Sequence, residues 1–402
     1  MSPSIFSAVE LAPRDPILGL NEAFAEDPRP TKVNLGVGVY FDENGKLPLP
    51  AAVKAAEKAR LEALPPRGYQ PIEGPPAYAQ AVQGLVFGAG SDVLQAGRVV
   101  TIQALGGTGA LRLGADFLKR LSPEARVYIS DPSWENHRAL FEAARFTVES
   151  YPYYDPAVRG VNFKAMHAFL GKLEPGAIVV LHACCHNPTG ADLSEAQWEE
   201  VVEVCRARRL VPFLDMAYQG FADGLDADAF AVRLFASSGL QFFVSSSFSK
   251  SFSLYGERVG ALSVVTESKE ESARVLSQLK RVVRTNYSNP PTHGAAVVAA
   301  VLSDPRLRQQ WEEELGGMRE RIRSMRLGLR AALEKLGARE DFSFVIRQRG
   351  MFSYTGLTAA QVERLRSGFG IHAVNTGRIN VAALNGRNLD YVAKAIAGVL
   401  ES

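Results

Sequence analysis

Apolar residues fall into short runs through the middle of this chain and into a long three-and-four stripe towards its end. The runs have strand length and occupy residues 99–104, 126–130, 177–183, 210–214, 241–246 and 260–265. Helical spacing separates several of them. The clearest case is 194–209, where Ser194 and Gln197 spell a capping box and Trp198, Val201, Val202 and Cys205 share one face. Alternating strands and helices predict an α/β fold, its mostly parallel sheet covered by helices on both faces.

The pattern changes at Asp304-Pro305, which reads as an N-cap followed by proline at the first helical position. Leu307, Trp311, Leu315, Met318, Ile322, Met325, Leu329, Leu333 and Leu336 then form one stripe of a long amphipathic helix, with Gly316-Gly317 as the place for a bend. That glycine pair weakens the competing coiled-coil reading. Short strands and two helices follow. Near the other end, Asn44-Gly45 signals a hairpin between two extended stretches. The layout expected is an N-terminal arm (1–14), a large α/β domain (48–305) and a smaller α+β domain assembled from 15–47 and 306–402.

Composition narrows the class. Of 402 residues, 47% are hydrophobic and 22% charged, as in ordinary globular enzymes. A net charge of +2 gives no reason to expect nucleic acid or an acidic membrane as partner. Three cysteines, Cys184, Cys185 and Cys205, make no disulfide framework and fit a reducing compartment. The first residues lack a basic segment followed by an apolar one, so no signal peptide is expected. The longest apolar run, 295–302, is too short to span a bilayer. The expected location is the cytoplasm.

Candidate chemistry gathers just after the expected strands, where ligands of open α/β sheets bind. Gly106-Gly107-Thr108-Gly109 follows the first run and opens a helix expected over 110–121. Glycines there let backbone N–H groups approach an anion, although many such turns are only tight turns. In SSSFSKSFSLYGERVG, Lys250 lies beside Ser247 and Ser249, with Arg258 eight residues on. A desolvated lysine becomes a nucleophile for carbonyls, and serines with an arginine fork suit a phosphate; a lone lysine in a serine-rich loop is more often just solvated. Asp215 ends an apolar strand, and Tyr218 follows it. A carboxylate there needs a cationic or donor partner, unless it is simply a helix cap. HACCHNPTG places Asn187-Pro188 in a turn, and its cysteines and histidines lack the spacing of a zinc site, so no metal is expected. Trp134 follows another strand and could stack on a ring or merely fill the core.

In this order, the D-x-A-Y segment at 215–218, HNPTG, the stretch from Lys250 to Arg258 and YSNPP resemble the aspartate/aromatic amino acid aminotransferase family, class I, of pyridoxal-phosphate (PLP) fold type I. The likeness runs from DPILGL to RINVAAL. HNPTGADL, SFSKSFSLYGERVG and QRGMFSYTGL are most similar to its bacterial aromatic (tyrosine) branch. The resemblance implies a PLP enzyme in which Lys250 holds the cofactor as a Schiff base and then moves the substrate proton. It implies that Asp215 pairs with the pyridine nitrogen, that Tyr218 and Asn187 bond the ring oxygen, and that Trp134 stacks on the ring. Gly107, Thr108, Ser247, Ser249 and Arg258 would hold the phosphate. Tyr69 would reach it from the other subunit of a homodimer with shared active sites. Arg378 would clamp the α-carboxylate, Arg284 would read a side-chain carboxylate across the interface, and Gly38, Trp134 and Asn187 would complete the substrate site. Phe41 and Leu47 would border the entrance. Gly106 stands where some relatives have serine.

The function so implied is transfer of the amino group of tyrosine, phenylalanine and aspartate to 2-oxoglutarate by ping-pong kinetics, its partners being small amino and 2-oxo acids. An aspartate-specific transaminase is the nearest rival, and a PLP lyase or decarboxylase a remote one. A PLP-binding gene regulator would need an added basic DNA-binding domain, and a dehydrogenase would need nicotinamide. His137 and His293 receive no role.

Overall fold

The computed structural model describes residues 4–13 and 18–401. The expected step from arm to small domain, at residues 14–15, lies outside the described residues, as does the DPI of DPILGL.

Seven strands build the central sheet: β1 (Val99–Leu105), β2 (Arg126–Asp131), β3 (Thr147–Pro152), β4 (Ile178–His182), β5 (Val211–Met216), β6 (Phe242–Ser247) and β7 (Val259–Val265). Their order is β1-β7-β6-β5-β4-β2-β3. Neighbours from β6 to β3 run parallel, whereas β7 is antiparallel to both β6 and β1. Six of these strands coincide with the six apolar runs. They are apolar throughout because both faces are covered: along β4, Ile178 and Val180 enter one apolar layer while Val179 and Leu181 enter the other. The seventh, β3, was not expected. It is an edge strand in which only Val148 and Tyr151 are buried, and its polar residues hide it from a search for apolar runs.

Helix α1 (Gly106–Leu121) starts directly at the end of β1, so the glycine run forms its first turn instead of a loop before residue 110. Helix α2 (Glu135–Ala143) follows β2. Helix α3 (Glu195–Arg208) carries the expected capping box, both hydrogen bonds of Ser194 and Gln197 being present. Helix α4 (Pro305–Lys335) is helical without a break through Gly316-Gly317, and Asp304 caps the N–H groups of Arg306 and Leu307. Its stripe buries Trp311, Leu315, Met318, Ile322, Leu329 and Leu333, while Leu336 falls beyond the helix and is exposed.

One short ladder joins the two ends of the chain, and a second lies within the C-terminal part. Val33–Asn34 pairs with Ile371–His372, and Phe352–Tyr354 pairs with Arg378–Asn380. The Asn44-Gly45 turn forms, with Gly45 at φ +70, but its flanks are not paired as strands. Asp42 instead accepts bonds from the N–H groups of Asn44 and Lys46. The three cysteines are free and buried. Among the described residues no helix is long and apolar enough to cross a membrane.

Helix α4 reaches the turn after β6 through Trp311. Its indole stacks on Phe252 at 4.5 Å and donates to the Ser251 carbonyl at 2.7 Å. Trp311→Phe keeps a stacked ring but orphans that buried carbonyl, so unfolding in denaturant is expected to show a loss of about 1–3 kcal/mol. An unchanged midpoint would mean that the bond contributes nothing.

Candidate active site

The carboxyl ends of β1, β2, β4, β5 and β6 open on a cavity of about 750 Å³. Each strand end delivers a different group to it. After β1, α1 presents Gly107 and Thr108 with no side chain capping its N-terminus, leaving N–H groups for an anion. Trp134 arrives after β2, Asn187 after β4, Asp215 and Tyr218 from β5, and Ser247, Ser249 and Lys250 from β6. Arg258 precedes β7, and Gly38 and Arg378 come from the two ends of the chain. Twelve of the fourteen expected site residues thus line one cavity.

The cup beneath Arg258 depends on missing side chains. Gly106 has φ +69, and a Cβ there would stand 2.5 Å from the Arg258 guanidinium. A Cβ on Gly260 would meet the Gly106 carbonyl carbon at 2.4 Å, so the two backbones touch. The glycine at 106 therefore lets the cup close on Arg258. Arg258 donates to the Tyr255 carbonyl at 2.9 Å and the Ser249 hydroxyl at 3.4 Å.

Asp215 is buried, and His137 answers its need for a partner. The His137 Nε2–H donates to Asp215 Oδ2 at 2.8 Å, while its Nδ1 shares a hydrogen bond with the Ser133 hydroxyl at 2.9 Å. Burial pushes the Asp215 carboxyl up, but the hydrogen bond from His137 and the electrostatic influence of His137, His182 and Lys250 outweigh it and hold the group below its ordinary value. His182 lines the cavity between Asp215 and His186, and neither of its ring nitrogens has a partner. Burial first, then His186 and His137, keep it well below the usual histidine range.

Lys250 sits with Nζ 4.8 Å from the centre of the Tyr218 ring. Desolvation lowers its amine to about 8; Asp215 opposes the shift, and Arg258 and Arg378 add to it. Arg378 is buried, donating to Asn187 Oδ1 at 3.1 Å and to the Gly36 carbonyl at 2.6 Å, with its plane 4.2 Å over Phe352. Its Nε has no partner. Among the described residues none of Lys250, Arg258 and Arg378 is in an ion pair.

Two expected residues stay outside. Tyr69 is 95% exposed, and Arg284, bonded to Ser288, does not line the cavity. Phe41 packs on the core and Leu47 is exposed; neither lines the cavity. The sequence reading also missed several residues. His137 follows the N-cap residue Trp134 by one turn, but nothing local to it announces its bond to Asp215. Tyr255, Phe352, His182 and Glu135 carry no local signal beyond lying near the named motifs.

The lowered amine has a direct consequence. In protein without cofactor, acylation of Lys250 is expected to be half-maximal near pH 8, well below exposed lysines, as mass spectrometry of the labelled peptides would report. Since the Asp215 charge favours the ammonium, Asp215→Asn lowers that midpoint; Arg258→Ala, removing a like charge, raises it. A midpoint in the ordinary lysine range would contradict the electrostatics of the site.

Residues 30–396 match the family described as aminotransferase class I and II. The chain is 68% identical to an aspartate aminotransferase of Pseudomonas aeruginosa over 99% of this chain and all of that one. It is 53% identical to an aromatic-amino-acid aminotransferase of Escherichia coli, covering 98% and 100%. A crystal structure of the aromatic-amino-acid aminotransferase of Burkholderia pseudomallei, covalently bound to pyridoxal phosphate, superposes with a TM-score of 0.97 at 70% identity, covering 99% and 100%. The protein belongs to the class I and II aminotransferases, with their fold-type-I architecture.

Proposed function

We propose that this enzyme transfers the amino group of aromatic L-amino acids and of aspartate to 2-oxoglutarate, with pyridoxal phosphate as cofactor. The observation that carries the proposal is the cavity itself. It collects an amine of lowered pKa, a buried ionised carboxylate, an uncapped helix N-terminus beside an arginine, and a buried arginine with no anion of its own. That donor set fits the cofactor: Gly107, Thr108, Ser247, Ser249 and Arg258 suit its phosphate, Asp215 its pyridine N–H, Tyr218 and Asn187 its ring oxygen, and Trp134 its ring face. PLP supplies an electron sink for negative charge developing at the substrate Cα.

The protein's own groups do the rest. With an amine near 8, about a tenth of Lys250 is unprotonated at pH 7, enough to take up the substrate's α-proton and return it one position away. Asp215, held ionised by His137, keeps a proton on the facing nitrogen. Arg378 pairs with the α-carboxylate, aimed by Asn187 and backed by Phe352. Its two N–H···O bonds to protein leave the Nε edge without a partner. In our reading Tyr69 and Arg284 complete the site of a second copy in a homodimer, Arg284 meeting side-chain carboxylates and withdrawing for aromatic rings. The cytoplasm is the proposed location, and the large and small domains divide as the sequence suggests.

Aspartate specificity is the second reading, favoured by the name of the 68% identical relative. Absorption spectra of the PLP-loaded protein separate the two. Phenylalanine and aspartate, added to separate samples, are each expected to bleach the cofactor's visible band, and 2-oxoglutarate to restore it. In Lys250→Ala the lysine-linked band is expected to be missing, and turnover to fall by about 10³-fold or more. Bleaching by aspartate alone would leave a plain aspartate transaminase, and no band at all would remove the cofactor.

A further inference from the structure

Two carboxylates line the cavity, and they differ in kind. Asp215 lies buried at the floor with His137 as its partner. Glu135 is exposed, at the first position of α2, immediately after Trp134. Asn136 and Ala139 line the cavity with it, so the Glu135–Ala139 pair, one turn apart, turns an edge of α2 towards the opening. No hydrogen bond or ion pair among the described residues holds the Glu135 carboxylate. The residue it acts on through space is Arg378, whose cation its charge favours. A long acid on a helix surface usually finds a lysine or arginine one turn away. Ala139 stands four residues on, and Arg138, three residues on, is engaged with Glu142, the Val148 carbonyl and Ser150, so the negative charge of Glu135 is left facing the cavity.

We propose that Glu135 is a specificity residue that discriminates against a second carboxylate on the substrate. The inference rests on the transaminase reading above. Every substrate brings an α-carboxylate to Arg378, so the effect of Glu135 on that group is common to all and cancels from any ratio. Aspartate and 2-oxoglutarate then place a further negative charge in the same cavity; phenylalanine and tyrosine place an uncharged ring. Repulsion from Glu135 therefore falls on the dicarboxylates alone and tilts a dual-specificity site towards aromatic donors. The opening is wet, so the penalty is moderate and screened by salt.

The test uses the PLP-loaded enzyme and two unreactive probes, succinate and 3-phenylpropionate, with dissociation constants measured by calorimetry. In Glu135→Gln the affinity for succinate relative to 3-phenylpropionate is expected to rise about three- to ten-fold at low salt, and the gain to shrink towards nothing near 0.5 M salt. The ratio of kcat/KM for aspartate over phenylalanine should move the same way. Glu135→Asp, which keeps the charge, should retain the wild-type ratios, as should Glu124→Gln, an exposed acid outside the cavity. Equal changes for both probes, or none, would overturn the proposal. If the probe ratio shifts but neither donor is turned over, the transaminase reading fails while the charge discrimination stands.

Discussion

Positive charge without a matching protein anion is the constraint on which this structure turns. Lys250, Arg258 and Arg378 face one cavity, and among the described residues none of them is in an ion pair. A buried guanidinium such as Arg378 is costly to leave without an anion. On the function proposed above, ligands would supply the missing charge: a phosphate at Arg258 and the N-terminus of α1, and a carboxylate at Arg378. The one buried carboxylate at the cavity, Asp215, is too deep to neutralise all three and is itself engaged by His137.

The scaffold explains how such charges are kept apart and aimed. Parallel strands bring five carboxyl ends to one edge, and the antiparallel β7 wedges between β1 and β6 so that Arg258 enters the same edge from the opposite direction. Backbone contact between Gly106 and Gly260 sets the depth of the cup. On the other side, Trp311 ties the long helix α4 to the turn that carries Lys250. Arg378 depends on both chain ends, since its strand pairs with Phe352–Tyr354 and its guanidinium rests on the Gly36 carbonyl.

Much of this was legible in the sequence, for definable reasons. Strands buried on both faces announce themselves as continuous apolar runs, and six of seven did. The edge strand β3 did not, because only two of its six residues are buried. The groups that lie within motifs, from Gly107 to Arg258, were read correctly as neighbours because each follows a strand end. His137 escaped because a histidine that serves another side chain leaves no pattern of its own. The glycine at 106 was legible only as a departure from relatives with serine, since its positive φ and the nearby guanidinium alone reveal why a side chain is absent. Tyr69 and Arg284 could be named only by resemblance, and within one chain they stay away from the cavity they were expected to serve.

The central claim is that the uncompensated cations form a single cofactor cradle with Lys250 as its covalent anchor. Borohydride reduction of the protein after incubation with stoichiometric pyridoxal phosphate, followed by mass spectrometry of the intact chain and its peptides, tests this most directly. The account predicts one cofactor per chain, fixed on the peptide that contains Lys250, with none added when Lys250 is replaced by alanine. Label spread over surface lysines, or fixed at another lysine while Lys250 stays free, would contradict it.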